Sequence, residues 1–255
     1  CRGFESFHPC HFFYDIIIAM ITTNLFNKWA AACSPERLVS ARADFQAMEA
    51  HVARFPVQKQ PVFIHMLGTP GSGKTTVAQA LLHALDTEKG SWAWHDFDRV
   101  MDLLSGYHVD HKVLGEKDAF DNWELVARAY GYKLLGDLVQ RRAHILFDHG
   151  AANVDHPDLL RWVKAQGYSV VMIYPKVDIE VAQARVVECA QQPGGRYTPP
   201  HYVAERQSLI EELLLDYHQI VHKIIDVDNN GLVNTLDLKP AAEKILELTP
   251  KPVKV

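Results

Sequence analysis

The sequence predicts an α/β fold, a parallel sheet covered by helices on both faces, and three observations predict it. Short apolar runs recur along the chain, helical patterns stand between them, and a glycine-rich turn follows the first run. A run that is apolar throughout is what a central strand shows when both of its faces are buried. Alternation of such runs with helices gives crossover units, and crossovers make the sheet parallel.

The elements follow in order. Ser34-Pro35-Glu36-Arg37 offers an N-cap and a first-turn proline, and Leu38, Ala41, Phe45, Met48 and Val52 then recur at helical spacing, so a helix is expected over 35–54. Pro56 and Pro61 bracket its exit, and Val62-Phe63-Ile64-His65-Met66-Leu67 is the first core strand. Similar runs lie at 92–95, 144–147 and 169–174, with helical patterns at 74–86, 97–105, 119–142, 156–166 and 178–191. A long helix follows 199 and runs to about 222, then a strand at 224–227. Asp228-Asn229-Asn230-Gly231 is a strong hairpin turn, which predicts a short return strand and a last helix near 240–247. The same stretch, from Asp226 to Asp237, has the shape of an EF-hand loop, but a short Asp where the long closing Glu belongs and a strand before it argue against calcium.

A chain of 255 residues suits one α/β domain with appended segments. Its net charge of −5, with acids and bases mixed, forms no basic stripe, so neither nucleic acid nor a membrane is expected as a partner. Cys1, Cys10, Cys33 and Cys189 are scattered without metal-ligand spacing, as in a reduced cytosolic protein. The apolar run Ile16 to Ile21 is too short to span a bilayer and lacks the flanks of a signal peptide. The first methionine is Met20, and Gly3-Phe4-Glu5-Ser6 back-translates to the T-arm consensus of a tRNA gene. Residues 1–19 are therefore expected to be a non-native or disordered leader, 20–58 a helical segment, 59–249 the sheet-bearing domain and 250–255 a tail. N-terminal sequencing of the native protein tests this.

The chemistry is concentrated in Gly68-Thr69-Pro70-Gly71-Ser72-Gly73-Lys74-Thr75-Thr76, between a strand and a helix. Gly68, Gly71 and Gly73 let backbone N–H groups turn inward around phosphate oxygens, at a helix N-terminus that adds partial positive charge. Lys74 is placed to reach the β- and γ-phosphates of ATP or GTP, and the Thr75 hydroxyl to ligand Mg²⁺. The fold is accordingly expected to be P-loop NTPase/kinase-like, with the C-terminal hairpin and helix appended.

Asp96-Phe97-Asp98-Arg99 closes the second strand at the rim where open α/β sheets bind ligands. Asp98 is the candidate general base for an acceptor hydroxyl and Asp96 a candidate substrate contact; capping of the next helix is the alternative for either. Arg185 and Arg196 flank Gln191-Gln192-Pro193-Gly194-Gly195, a breaker-rich segment that reads as a lid able to close guanidinium groups over a phosphate in transit. A surface salt bridge for Arg185 and a plain turn for Arg196 are equally open. The third strand ends in Phe147-Asp148-His149-Gly150, where Asp148 could hold acceptor hydroxyls or a water on Mg²⁺, and His149 is a further substrate-side candidate.

In this order the motifs resemble the zeta-toxin family of P-loop kinases, over about residues 60 to 237. The resemblance rests on the 68–75 loop, on Asp96-Phe97-Asp98-Arg99, and on the Arg185 to Arg196 segment followed by Thr198-Pro199. It implies that Lys74 and Thr75 handle nucleotide and metal, that Asp98 is the base, and that Arg185 and Arg196 grip the phosphate. It further implies a bacterial cytoplasmic toxin with an antitoxin partner, or an effector delivered to a host cytosol. The acceptor would be a sugar hydroxyl, on UDP-N-acetylglucosamine in the toxins and on the adenosine ribose of NAD in an effector branch, with the first slightly preferred. One departure falls in the acceptor pocket: Asp148-His149-Gly150 stands where the family commonly has Glu-Gly-Thr. The rivals are a metabolic or antibiotic small-molecule kinase and a nucleotide-binding switch, the latter without an Asn-Lys-x-Asp guanine motif.

Overall fold

The structure, a computed structural model, describes residues 20–85, 90–192, 198–231 and 237–248. Helices α1 (Met20–Ala30), α2 (Pro35–Ser40) and α3 (Arg42–Val52) precede β1 (Val62–Met66) and α4 (Lys74–Leu85). Then come β2 (Trp92–His95), α5 (Phe97–Asp102), α6 (Ser105–Leu114), α7 (Glu116–Gln140), β3 (His144–Phe147) and α8 (His156–Ala165). β4 (Ser169–Lys176), α9 (Ile179–Ala190), α10 (Pro200–Ile220), β5 (Lys223–Asp228) and α11 (Lys239–Leu246) complete the order. The strands form one sheet in the order β2-β3-β1-β4-β5, and each pairing is parallel.

β1 shows why the sheet is covered on both faces. Val62, Ile64 and Met66 enter one core with Val77 and Leu81 of α4 and Ala241 and Ile245 of α11. Phe63 and Leu67 point the other way, into a larger core with Leu25 of α1, Phe45 of α3, Trp123 and Leu135 of α7, and Tyr217 of α10. Alternation along a strand that is buried at every position requires both covers.

The observed boundaries follow the expected ones, with three differences. The helix expected over 35–54 turns at Ala41 and becomes α2, which buries no residue, and α3, which buries Phe45, Met48 and Val52. The helix at 97–105 ends at Asp102, and α6 follows it in a stretch for which no element is expected. The start of α6 is capped from outside, since Asp44 of α3 accepts from the Ser105 backbone N (2.9 Å) and hydroxyl (2.8 Å). A cap supplied by a distant helix leaves no local signal. Third, α1 packs along α7, with Leu25 in the core and Phe26 and Trp29 against it. The return strand after Gly231 lies outside the described residues. No helix among the described residues is long and apolar enough to cross a membrane.

Candidate active site

The 68–75 loop joins β1 to α4 and is clamped from three sides. The Gly68 N–H donates to the Gly150 carbonyl at 3.1 Å, tying the loop to the end of β3. Gly71 has φ +78, and a Cβ there would lie 2.2 Å from the Ala182 carbonyl oxygen of α9. Gly73 has φ +77, and a Cβ there would meet Asn229 Nδ2 at 2.4 Å. Both glycines are therefore required by backbone conformation and by close approach together.

Lys74 Nζ donates to the Thr69 carbonyl (2.7 Å). Burial of the ammonium lowers its pKa to about 8, against the pull of the Asp148 and Asp98 carboxylates. The Thr75 hydroxyl donates to Asp148, whose carboxyl is pushed up by burial and held down by Lys74. Asp98, in the first turn of α5, lines the same cavity of about 680 Å³ as Lys74, Thr75 and Asp148. The four side chains picked from the sequence thus share one cavity at the C-terminal edge of the sheet.

Asp96 lies on that cavity but has work of its own. It caps α5, accepting from the Arg99 N–H at 2.7 Å, and its other oxygen is 2.9 Å from Arg99 Nε. Burial raises its carboxyl to about 6. Arg185 lies in α9, where Nη2 donates to the carbonyls of Asn229 (2.9 Å) and Gly231 (3.1 Å) and Nη1 is buried without a partner. The guanidinium is thus a bracket between α9 and the turn after β5, neighbouring Gly73. Arg196 lies outside the described residues.

His149 is a wall. Its ring stacks on Phe147 with centroids 5.6 Å apart, and lies 5.1 Å from Phe97 and 4.8 Å from His156. Burial, with His156 and Arg128 nearby, holds it well below the ordinary imidazole pKa, so it is neutral. Gly150 has no room for a side chain, because a Cβ would lie 2.7 Å from the Gly68 carbonyl. Ala151 follows with φ 56 and gives its carbonyl to the Tyr217 hydroxyl. A non-glycine residue in that region stores strain of about 1 kcal/mol or more, here at the rim of the site.

Two contributors carried no sequence signal. Asn229, in what read as a hairpin turn, is buried with Nδ2 on the Ser72 carbonyl (2.7 Å) and its backbone N–H on the Lys176 carbonyl (2.9 Å). Asn229→Ala is expected to cost about 1–3 kcal/mol of stability, since the buried Ser72 carbonyl loses its partner. Nucleotide affinity should fall with it; urea melts and nucleotide titration measure both, and an unchanged melt would show that the bond carries no weight. Arg128, in the middle of α7, lies on the same cavity. Its guanidinium sits between the rings of Trp29 (4.8 Å) and Phe97 (5.5 Å), and Nη2 donates to Glu124 at 2.5 Å.

Residues 46–235 match the family model described as Zeta toxin. No curated protein sequence matches the chain. Among solved structures, a chain from the PezAT chromosomal toxin–antitoxin system of Streptococcus pneumoniae is similar at 18% identity and a TM-score of 0.58, covering 82% of this chain and 87% of that one. A protein of Chloroflexus aurantiacus described as a candidate kinase is similar at 15% identity and a TM-score of 0.51, covering 75% of this chain and 100% of that one. At these identities the likeness is one of fold.

Proposed function

The chain belongs to the zeta-toxin family of P-loop kinases, and on that premise we propose that it transfers the γ-phosphate of ATP to an alcohol group of a sugar-nucleotide or dinucleotide acceptor. The observation that supports this reading is the convergence of Lys74, Thr75, Asp98 and Asp148 on one cavity. Phosphoryl transfer needs little covalent help from a protein and much positioning and charge neutralisation. Lys74 supplies a positive charge to the β- and γ-phosphates, over a loop whose backbone N–H groups hold the rest. Asp98 takes the proton of the acceptor hydroxyl, being a carboxylate that lines the same cavity as the loop. Arg185 keeps the turn after β5 against the loop, and Arg196 would close on the phosphate from the segment before α10.

The residues also fit a Mg²⁺ ion. Among the described residues no three His, Cys, Asp or Glu side chains gather as a metal cage. A kinase Mg²⁺ needs none, because it takes phosphate oxygens, waters and one or two protein oxygens. The Thr75 hydroxyl and the Asp148 carboxylate would hold it, and it would supply charge neutralisation on the phosphates.

For the acceptor, UDP-N-acetylglucosamine is placed first and NAD second. An antitoxin partner belongs to the same reading, and expression of the active form alone is then expected to arrest growth. The decisive experiment incubates the purified protein with labelled ATP and a panel of UDP-sugars, NAD and nucleosides, with Lys74→Ala beside it. Label should pass to one acceptor and vanish in the variant. Tight nucleotide binding with no acceptor labelled would favour a nucleotide-binding switch.

A further inference from the structure

The site has a second lobe of opposite charge. A cavity of about 440 Å³ shares Lys74, Arg128, His149 and Gly150 with the first and extends toward α1, α10 and the loop after β3. The first lobe carries the carboxylates Asp96, Asp98, Asp102, Glu124 and Asp148 against the cations Lys74, Arg99 and Arg128, an excess of acid. The second carries Lys28, Lys74, Arg128 and Arg206 against the single carboxylate Asp155. Low-dielectric walls focus such a field, so an acceptor anion entering the joint cavity is drawn away from the carboxylate cluster and into the second lobe.

The cations of the second lobe come from separate elements and are held in place. Lys28 of α1 pairs with Asp155 at 2.5 Å, and Arg206 of α10 donates to the Ala152 carbonyl at 3.1 Å. Arg128 is fixed between Trp29 and Phe97, yet its Nε–H is buried with no acceptor, and so is the indole N–H of Trp29. Unmet buried donors beside a basic cavity are a standing cost that a ligand oxygen would relieve. Lys28 and Trp29 belong to a helix that lies before the stretch shared with the family.

We propose that this lobe seats the anionic oxygens of the acceptor, a phosphate or carboxylate group held by Lys28, Arg128 and Arg206, so that α1 is part of the acceptor site. The inference rests on the kinase reading above and names the part of the acceptor that these residues recognise. With the anion seated there, the neutral hydroxyl is presented toward Asp98, and Arg128 and Lys74 lie between the acceptor's charge and that of the nucleotide.

The test fills the loop first. Binding of Mg²⁺ and the non-hydrolysable ATP analogue AMP-PNP is measured, and pyrophosphate or malonate is then titrated into the saturated complex by calorimetry. Saturable binding of either probe is expected, weakening with salt, and the stronger of the two identifies phosphate or carboxylate as the natural group. Arg206→Gln and Lys28→Gln should each raise the dissociation constant by about tenfold, the loss of one hydrogen bond to a charged group, while AMP-PNP affinity stays within about twofold. Absence of saturable binding by both probes, or binding unchanged in both variants, would overturn the inference with the kinase reading intact. Failure to bind AMP-PNP in the first step would overturn the kinase reading and this inference with it.

Discussion

Between pH 7 and pH 5 the protein is expected to lose much of its stability. His65, His95 and His156 are all but wholly buried, and burial is the largest reason that their pKa values fall: well below the ordinary value for His65, to about 4 for His95 and about 3 for His156. Burial likewise lowers His144 to about 4 and holds His149 well down. A depressed folded pKa means that the unfolded chain binds protons first, starting near pH 6.5, so the stability present above that pH is lost progressively toward pH 4. Three carboxyls act in the opposite sense, because burial raises Asp96, to about 6, and likewise Asp137 and Asp148, so that the folded state takes up protons there before the unfolded chain does.

Five depressed histidines outnumber three raised carboxyls, and each proton of difference between the two states is worth about 1.4 kcal/mol per pH unit. A net difference of even one proton, sustained over a pH unit, is appreciable beside the roughly 5–15 kcal/mol of an ordinary domain. Urea melts at pH 7, 6 and 5 measure the slope. His156→Gln, which removes one of the buried imidazoles hydrogen-bonded to His65 (2.9 Å) and Tyr132 (3.1 Å), should flatten it by about one proton while lowering stability at pH 7. A stability curve that is flat from pH 7 to 5 would contradict the account.

Asp98→Asn is expected to lower the chemical step by roughly 10²–10⁴-fold with little change in ATP affinity, the range for loss of a general base. Asp148→Asn should behave differently, because its partners are Thr75 and Lys74: nucleotide binding should weaken and the Mg²⁺ requirement should rise. Single-turnover rates and nucleotide titrations on the two variants separate proton acceptance from metal and nucleotide binding. Equal loss of ATP affinity in Asp98→Asn would assign Asp98 to the nucleotide side and remove it as the base.

The sheet was legible because both of its signals are local. Short, largely apolar runs mark doubly covered strands, and the β2 and β3 boundaries at 92–95 and 144–147 are those observed. The loop and its glycines were legible for the same reason. What escaped was set by packing across the chain. α6 takes its cap from Asp44, sixty-one residues away in sequence. Asn229 reads as a turn residue until β5 brings it against Ser72. Arg128 reads as one charge on a helical face, and only the docking of α1 puts Trp29 against it. Within the Asp96-Phe97-Asp98-Arg99 motif, capping and chemistry were both open, and the structure gives the cap to Asp96 while leaving Asp98 facing the cavity.

The docking of α1 also brings a segment outside the family-matched stretch to the edge of the site. The phosphate loop, the sheet and α9 are continuous through the family-matched stretch, whereas Lys28 and Trp29 come from a segment before it. Under the acceptor-lobe proposal, the groups that would hold the donor phosphates lie within the family-matched stretch, while one wall of the acceptor lobe is built by a helix outside it.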